Sequence, residues 1–328
     1  MNKYEIPIPK NWLLNGPDWM QNKLSSDLFC DVSNDSHEHV LVEKLRSEPQ
    51  IISLLKNLED WPGPVITNHK AAGHPLHKLA FLADLGFDGN DPRIKQIIRK
   101  IFTHLDPKGP PLSMVNIPKA FGGNGENVLS WMLCDSPLIL YSLVSFGLME
   151  DPAVVKAVDF FCNLNRDNGW PCSAAIELGR FRGPGRKEDP CPYATLIMLR
   201  TLAKMPDYHQ HPSVQKGIDA LLSLWEFRRE HSAYLFKMGT DFSKLKAPLV
   251  WFDILHVLDV LSQFPGAIQE PRYQQILQIL AEKADKEGKF YAESVWTTWK
   301  DWEFGQKKQP SYWITFLAHR ILARSKIE

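Results

Sequence analysis

Pro92, Pro152, Pro212 and Pro271 follow one another at intervals of 60, 60 and 59 residues, each inside nearly the same short segment. The segments read Asp91-Pro92-Arg93-Ile94-Lys95, Asp151-Pro152-Ala153-Val154-Val155, His211-Pro212-Ser213-Val214-Gln215 and Glu270-Pro271-Arg272-Tyr273-Gln274. A polar residue ahead of proline starts a helix, because proline's fixed φ suits the first turn and its missing N–H has no partner there to lose. After Pro92, the residues Ile94, Ile97, Ile98, Ile101, Phe102 and Leu105 fall on one helical face and Arg93, Lys95, Gln96, Arg99 and Lys100 on the other. That pattern predicts an outer, half-exposed helix. Glu48-Pro49-Gln50-Ile51-Ile52 reads as a displaced first member.

A second series interleaves with the first: Gly16-Pro17, His74-Pro75, Ser136-Pro137, Cys191-Pro192, Ala247-Pro248 and Gln309-Pro310. The stretch after each proline is apolar nearly all round, as in Tyr193-Ala194-Thr195-Leu196-Ile197-Met198-Leu199, which predicts helices buried on every side. Inner and outer helices therefore alternate with a period near sixty residues. The fold class expected is all-α, a single domain over residues 1–328 built from about six helix-hairpin repeats. Such a series either closes into an α/α toroid or runs as an open solenoid. Wholly apolar inner helices favour the ring, where they pack on one another, over a solenoid with a wet concave side.

Of 328 residues, 44% are hydrophobic, enough for a large core, while 38 basic and 38 acidic side chains cancel. No global field then recruits nucleic acid or an anionic membrane. No run reaches the ~18 apolar residues of a membrane span, and Met1-Asn2-Lys3-Tyr4-Glu5-Ile6-Pro7 lacks the apolar core of a signal peptide. The expectation is a cytoplasmic protein whose five cysteines are thiols or metal ligands rather than disulfides.

Outer-to-inner connections are long, roughly residues 106–129, 166–189, 228–246 and 286–308. They are expected at one end, around the N-termini of the inner helices; they either carry function or merely plug that end. Helix N-termini attract anions, and these loops add Arg180, Arg182, Arg186, Lys187, Lys237, Lys244, Lys246, Lys307 and Lys308. Acids lie among them, so a solvated charge run stands beside an anion site. Tyr193, Trp251 and Trp296 are apolar candidates at the same mouth, with Trp296, Trp299 and Trp302 read as a loop wall.

Cys134 and Cys191 occupy equivalent places at inner-helix starts, and Cys172 follows Gly169-Trp170-Pro171 between them. Three thiolates with an exchangeable fourth position make a catalytic type of zinc site, with Asp189, Asp135 or His77 as fourth ligand. The alternative is three buried free thiols packed as small apolar groups. Cys162 and Cys30 read as structural or incidental. Asp253, inside Leu249-Val250-Trp251-Phe252-Asp253-Ile254-Leu255, reads as a carboxylate on a buried helix and, with Asp135, as an acid–base candidate. No nucleophile elbow, phosphate loop or dinucleotide fingerprint is present.

Asn165-Arg166-Asp167-Asn168-Gly169-Trp170 resembles the glycine-tryptophan repeat motif of the α/α-toroid superfamily of terpenoid cyclases and protein prenyltransferase β subunits. The Asp-Pro-Cys-Pro-Tyr segment at 189–193 is similar to that of a bacterial prenyltransferase-like branch. Asp189-Pro190-Cys191 matches the first part of the prenyltransferase zinc motif; the later histidine is missing, as are the Asp-x-Asp-Asp acid and the aspartate-rich diphosphate motif of the cyclases. The resemblance implies an enzyme of the transferase or cyclase kind. It would take an amphiphilic, anionic substrate such as a prenyl diphosphate, with a cysteine-held zinc at the mouth. A non-catalytic lipid- or peptide-binding protein and a scaffold are the other readings.

Overall fold

The computed structural model describes residues 6–29, 42–179, 188–230 and 236–326. The chain divides into two compact units, residues 55–238 and residues 1–54 together with 239–328. Among the described residues the principal helices are α1 (Lys10–Leu14), α2 (Asp18–Leu24), α3 (Pro49–Lys56), α4 (Pro75–Asp84), α5 (Pro92–Phe102), α6 (Ser136–Leu143), α7 (Pro152–Cys162), α8 (Pro192–Leu202), α9 (Pro212–Glu226), α10 (Ile254–Leu261), α11 (Pro271–Ala281) and α12 (Tyr312–Arg324). Among the described residues the regular structure is helical apart from isolated bridges and one antiparallel pair, β1 (Ser113–Val115) and β2 (Val128–Ser130), within the loop that joins α5 to α6.

In the central unit the two proline series appear as expected. Every residue of α6 and α8 is buried, and α4 rests against α6 as α6 does against α8. α5, α7 and α9 bury one face each, for α5 the row Ile94, Ile97, Ile98 and Ile101. In α4, α5, α7 and α9 the residue ahead of the proline caps its helix: Asp91 Oδ1 accepts from Arg93 N at 2.8 Å and Asp151 Oδ1 from Ala153 N at 2.9 Å. His74 and His211 do the same through Nδ1, each accepting the N–H two residues on.

Gly169, in the turn that follows α7, sits at a close approach that requires glycine. Its φ of +98° is open to glycine, and a Cβ there would stand 2.8 Å from Ala220 Cβ and 3.0 Å from Thr195 Oγ1. That closeness lets Trp170 bury itself completely, its indole N–H donating to the Phe161 carbonyl at 2.8 Å. Gly169→Ala is expected to cost about 2–4 kcal/mol from the left-handed backbone and the overpacking together, read as a lowered denaturant midpoint.

In the unit that holds both termini, α10 and α12 are the buried helices and lie against each other, with α11 on the outside. Here one expectation fails. Ala247-Pro248 does not begin a helix; α10 starts at Ile254, six residues later, so Asp253 is its N-cap and not a residue of its body. Trp299 and Trp302 are buried: Trp302 meets Trp19 edge-on at 5.2 Å and stacks on Phe304 at 5.6 Å. The loop closes over apolar surface from α2, and aromatic area taken from water outweighs the irregular backbone.

Candidate metal centre

Three thiols meet at the starts of the inner helices of the central unit. Cys191 is the N-cap of α8, and its Sγ accepts from Ala194 N at 3.5 Å. Cys134 precedes Asp135, the N-cap of α6. Cys172 is brought between them by anchors on both sides. On one side Cys191 N donates to the Trp170 carbonyl (2.7 Å) and Trp170 N to Thr195 Oγ1 (3.1 Å); on the other Leu133 N donates to the Ser173 carbonyl (2.9 Å). The three Sγ atoms lie within 4.8 Å of one another, and Cys134 and Cys191 are 3.8 Å apart. Cys134 and Cys191 are buried and Cys172 is half-exposed. Among the described residues no aspartate, glutamate or histidine joins this cluster at the same range.

The donor set fits zinc. With Zn–S near 2.3 Å, the edge of a tetrahedron of sulfurs is about 3.8 Å, the spacing already present between Cys134 and Cys191. Electrostatics point the same way. The Cys134 and Cys172 thiols both hydrogen-bond to Cys191 and hold it well below the ordinary thiol range against burial, while Cys134 is pushed well above it. The cluster thus gives up its first proton at Cys191, helped by the α8 N-terminus, and retains the others until a cation displaces them.

Beside the thiols stands a pair of which sequence reading identified only half. His69 Nδ1 meets Asp135 Oδ1 at 2.8 Å, and the Asp135 side chain is 1% exposed. Burial works against charge on His69, yet the Asp135 carboxylate, by charge and by hydrogen bond, raises its pKa above the usual imidazole value. His69 sits in the irregular Asn68-His69-Lys70 turn, so no periodicity marks it. His77, in the first turn of α4, donates from Nε2 to the His69 carbonyl at 2.9 Å. Burial drives its pKa down to about 4, so it stays neutral. His77 and Asp135 therefore flank the thiols without entering the cluster, and Asp189 is half-exposed outside it.

Tyr193 is buried in the first turn of α8. Arg180, Arg182, Arg186, Lys187 and Cys30 lie outside the described residues. Cys162 ends α7, where burial pushes its thiol up to about 12 and leaves it inert. Lys244 is near Asp241 at 3.5 Å, and Lys307 is exposed. Lys246, Trp251, Asp253 and Trp296 belong to the other unit: Lys246 Nζ lies 4.7 Å above the Trp296 ring, Trp251 is buried, and Asp253 is fully buried.

Asp253 Oδ1 caps α10 by accepting from His256 N at 3.0 Å, while Oδ2 is buried without a partner. Burial pushes its pKa from 3.8 up to about 7, with the Lys246 charge opposing. Between these values the folded chain binds a proton that the unfolded chain does not, so this group's contribution to stability declines as pH rises through that window. Asp253→Asn keeps the cap and removes the titration. The variant's stability relative to the parent is expected to rise by roughly 2 kcal/mol between about pH 5 and about pH 8, measured by urea unfolding at both.

No protein-family model and no curated protein matches the chain. Among solved structures, a protein from Actinoplanes is similar over 94% of this chain and 90% of its own, at 14% identity and a TM-score of 0.41. Type II terpene cyclase MstE from Scytonema, without ligand, is similar over 93% and 87%, at 12% identity and a TM-score of 0.41. A variant of MstE in complex with geranylgeranyl dihydroxybenzoate is similar over 94% and 87%, at 12% identity and a TM-score of 0.42. These likenesses concern the helical fold alone.

Proposed function

We propose that the protein is an enzyme of the α/α-toroid kind, related in design to terpenoid cyclases and prenyltransferases, which takes an amphiphilic substrate to a zinc held by Cys134, Cys172 and Cys191. The observation that carries this reading is the convergence of three thiols within 4.8 Å at the starts of adjacent inner helices. Closure of the repeats into a ring is supported by the sixty-residue alternation of buried and half-buried helices. The amphiphilic substrate is supported by inner helices that are largely apolar between their ends, fit for a hydrocarbon chain, while thiols and polar groups collect at their N-termini.

When bound, zinc would supply a Lewis acid with one coordination position left for a reacting group. The chain's own residues do the rest. Cys191 offers the thiolate from which coordination begins, and the α8 N-terminus stabilises it. Asp135 orients the His69 ring through Nδ1, and His69, 27% exposed, stands where solvent and the buried thiols meet and is able to hold or release a proton there. Among the described residues no helix is long and apolar enough to cross a membrane, so the substrate would be met from water or from a bilayer's surface.

Metal analysis of the full chain purified without chelator tests the reading: about one zinc per chain is expected. Protein that stays folded and takes up no zinc at micromolar concentration would leave three packed thiols and no catalytic centre. A chain that holds zinc and a co-purifying lipid, but turns nothing over, would favour a binding protein.

A further inference from the structure

Asp135 occupies the N-cap position of α6 and does not cap it, whereas Asp91, Asp151, Asp253, Cys191 and Ser311 at the equivalent position all accept an N–H of their own helix. One carboxylate oxygen instead meets His69, and the other, Oδ2, is buried with no hydrogen-bond partner. His77 repeats the situation one helix away. Its Nε2 faces a carbonyl, which only accepts, so the proton is on Nε2 and Nδ1 presents a lone pair; that atom too is buried and unpartnered. Asp135 is 1% exposed and His77 4%. Both are tied to the same residue, His69, one at its ring and one at its carbonyl.

An unpaired buried acceptor is costly, so two in one cluster call for a donor. Three thiolates, moreover, carry more negative charge than a divalent cation neutralises. Beside those thiols, the two unpartnered acceptors disfavour an anion at their own position and favour a donor. We infer that the subsite beside the cysteine centre, formed by Asp135 Oδ2 and His77 Nδ1, binds the hydrogen-bond-donating head of the substrate, a hydroxyl or an ammonium group, and rejects an anionic one. This rests on the amphiphile reading above and replaces the diphosphate expected from the sequence with an alcohol- or amine-headed chain.

The zinc-loaded full chain is titrated with farnesol, farnesylamine and farnesyl diphosphate, each below its aggregation concentration, and binding is followed calorimetrically. Farnesol or farnesylamine is expected to bind at least tenfold more tightly than the diphosphate. Asp135→Asn and, separately, His77→Phe are expected to erase that preference while zinc content and the far-UV spectrum hold. Diphosphate binding as tight as that of the two donors overturns the inference and leaves the amphiphile reading standing. Failure of all three probes to bind overturns the amphiphile reading itself, and this inference with it. Should one variant fold poorly, the preference measured on the unmodified chain still decides.

Discussion

Replacing Arg200 by alanine is expected to destabilise the protein by about 3–5 kcal/mol, the largest effect of any single substitution away from the cysteine centre. Arg200 on α8 is 1% exposed and pairs with Asp84 at the end of α4; Tyr141 on α6 donates its hydroxyl to the same carboxylate at 2.5 Å. The guanidinium also lies 4.0 Å from the centroid of the Tyr141 ring. One ionic cluster therefore ties three neighbouring inner helices at the end opposite the thiols. Removing Arg200 leaves Asp84 charged in an apolar surround, which costs far more than the pair contributes over a well-packed apolar pair. The double variant Asp84→Leu/Arg200→Met is accordingly expected to recover most of the loss. Urea unfolding of the parent, both single variants and the double variant makes the comparison. Equal destabilisation by the single and double variants would show that packing, not the stranded charge, sets the cost.

Serine at position 191 is expected to lower zinc affinity by more than 100-fold, a larger loss than that typical for groups that only orient a ligand. Cys191 is the thiol that ionises first, because both neighbouring thiols and the Ala194 N–H donate to it. A serine hydroxyl keeps the helix cap but not the thiolate, so the fold should persist while the metal is lost. Competition with a chromophoric chelator gives the affinity, and circular dichroism the fold. Cys162→Ser, on the outer helix α7, is the control and should leave zinc binding unchanged. If Cys191→Ser retained parental affinity, the centre would not be built as described.

Part of this site was legible in the chain, and the repeat was the reason. Cys134 and Cys191 stand 57 residues apart in sequence, close to one period, so equivalence along the chain became adjacency in space. The same arithmetic applies to Asp84 and Tyr141, also 57 apart, yet their position near the ends of inner helices carried no motif to draw notice. His69 had no such signal. It lies in a turn outside either series, and its role comes from a hydrogen bond to a residue 66 positions away.

Local signals along the chain set which segments are helices, where most of them start and which face each one buries, because proline, cap and hydrophobic period act over a few residues at a time. They also marked the cysteines at helix starts. Long-range packing draws Cys172 between the other two, makes Trp299 and Trp302 core, sets Asp253 as the cap of α10 instead of a residue within it, and turns Asp135 from its helix toward His69. Each of these depends on which distant surfaces exclude water together. A local pattern specifies a face, and the neighbour that covers the face is chosen by packing across the whole unit.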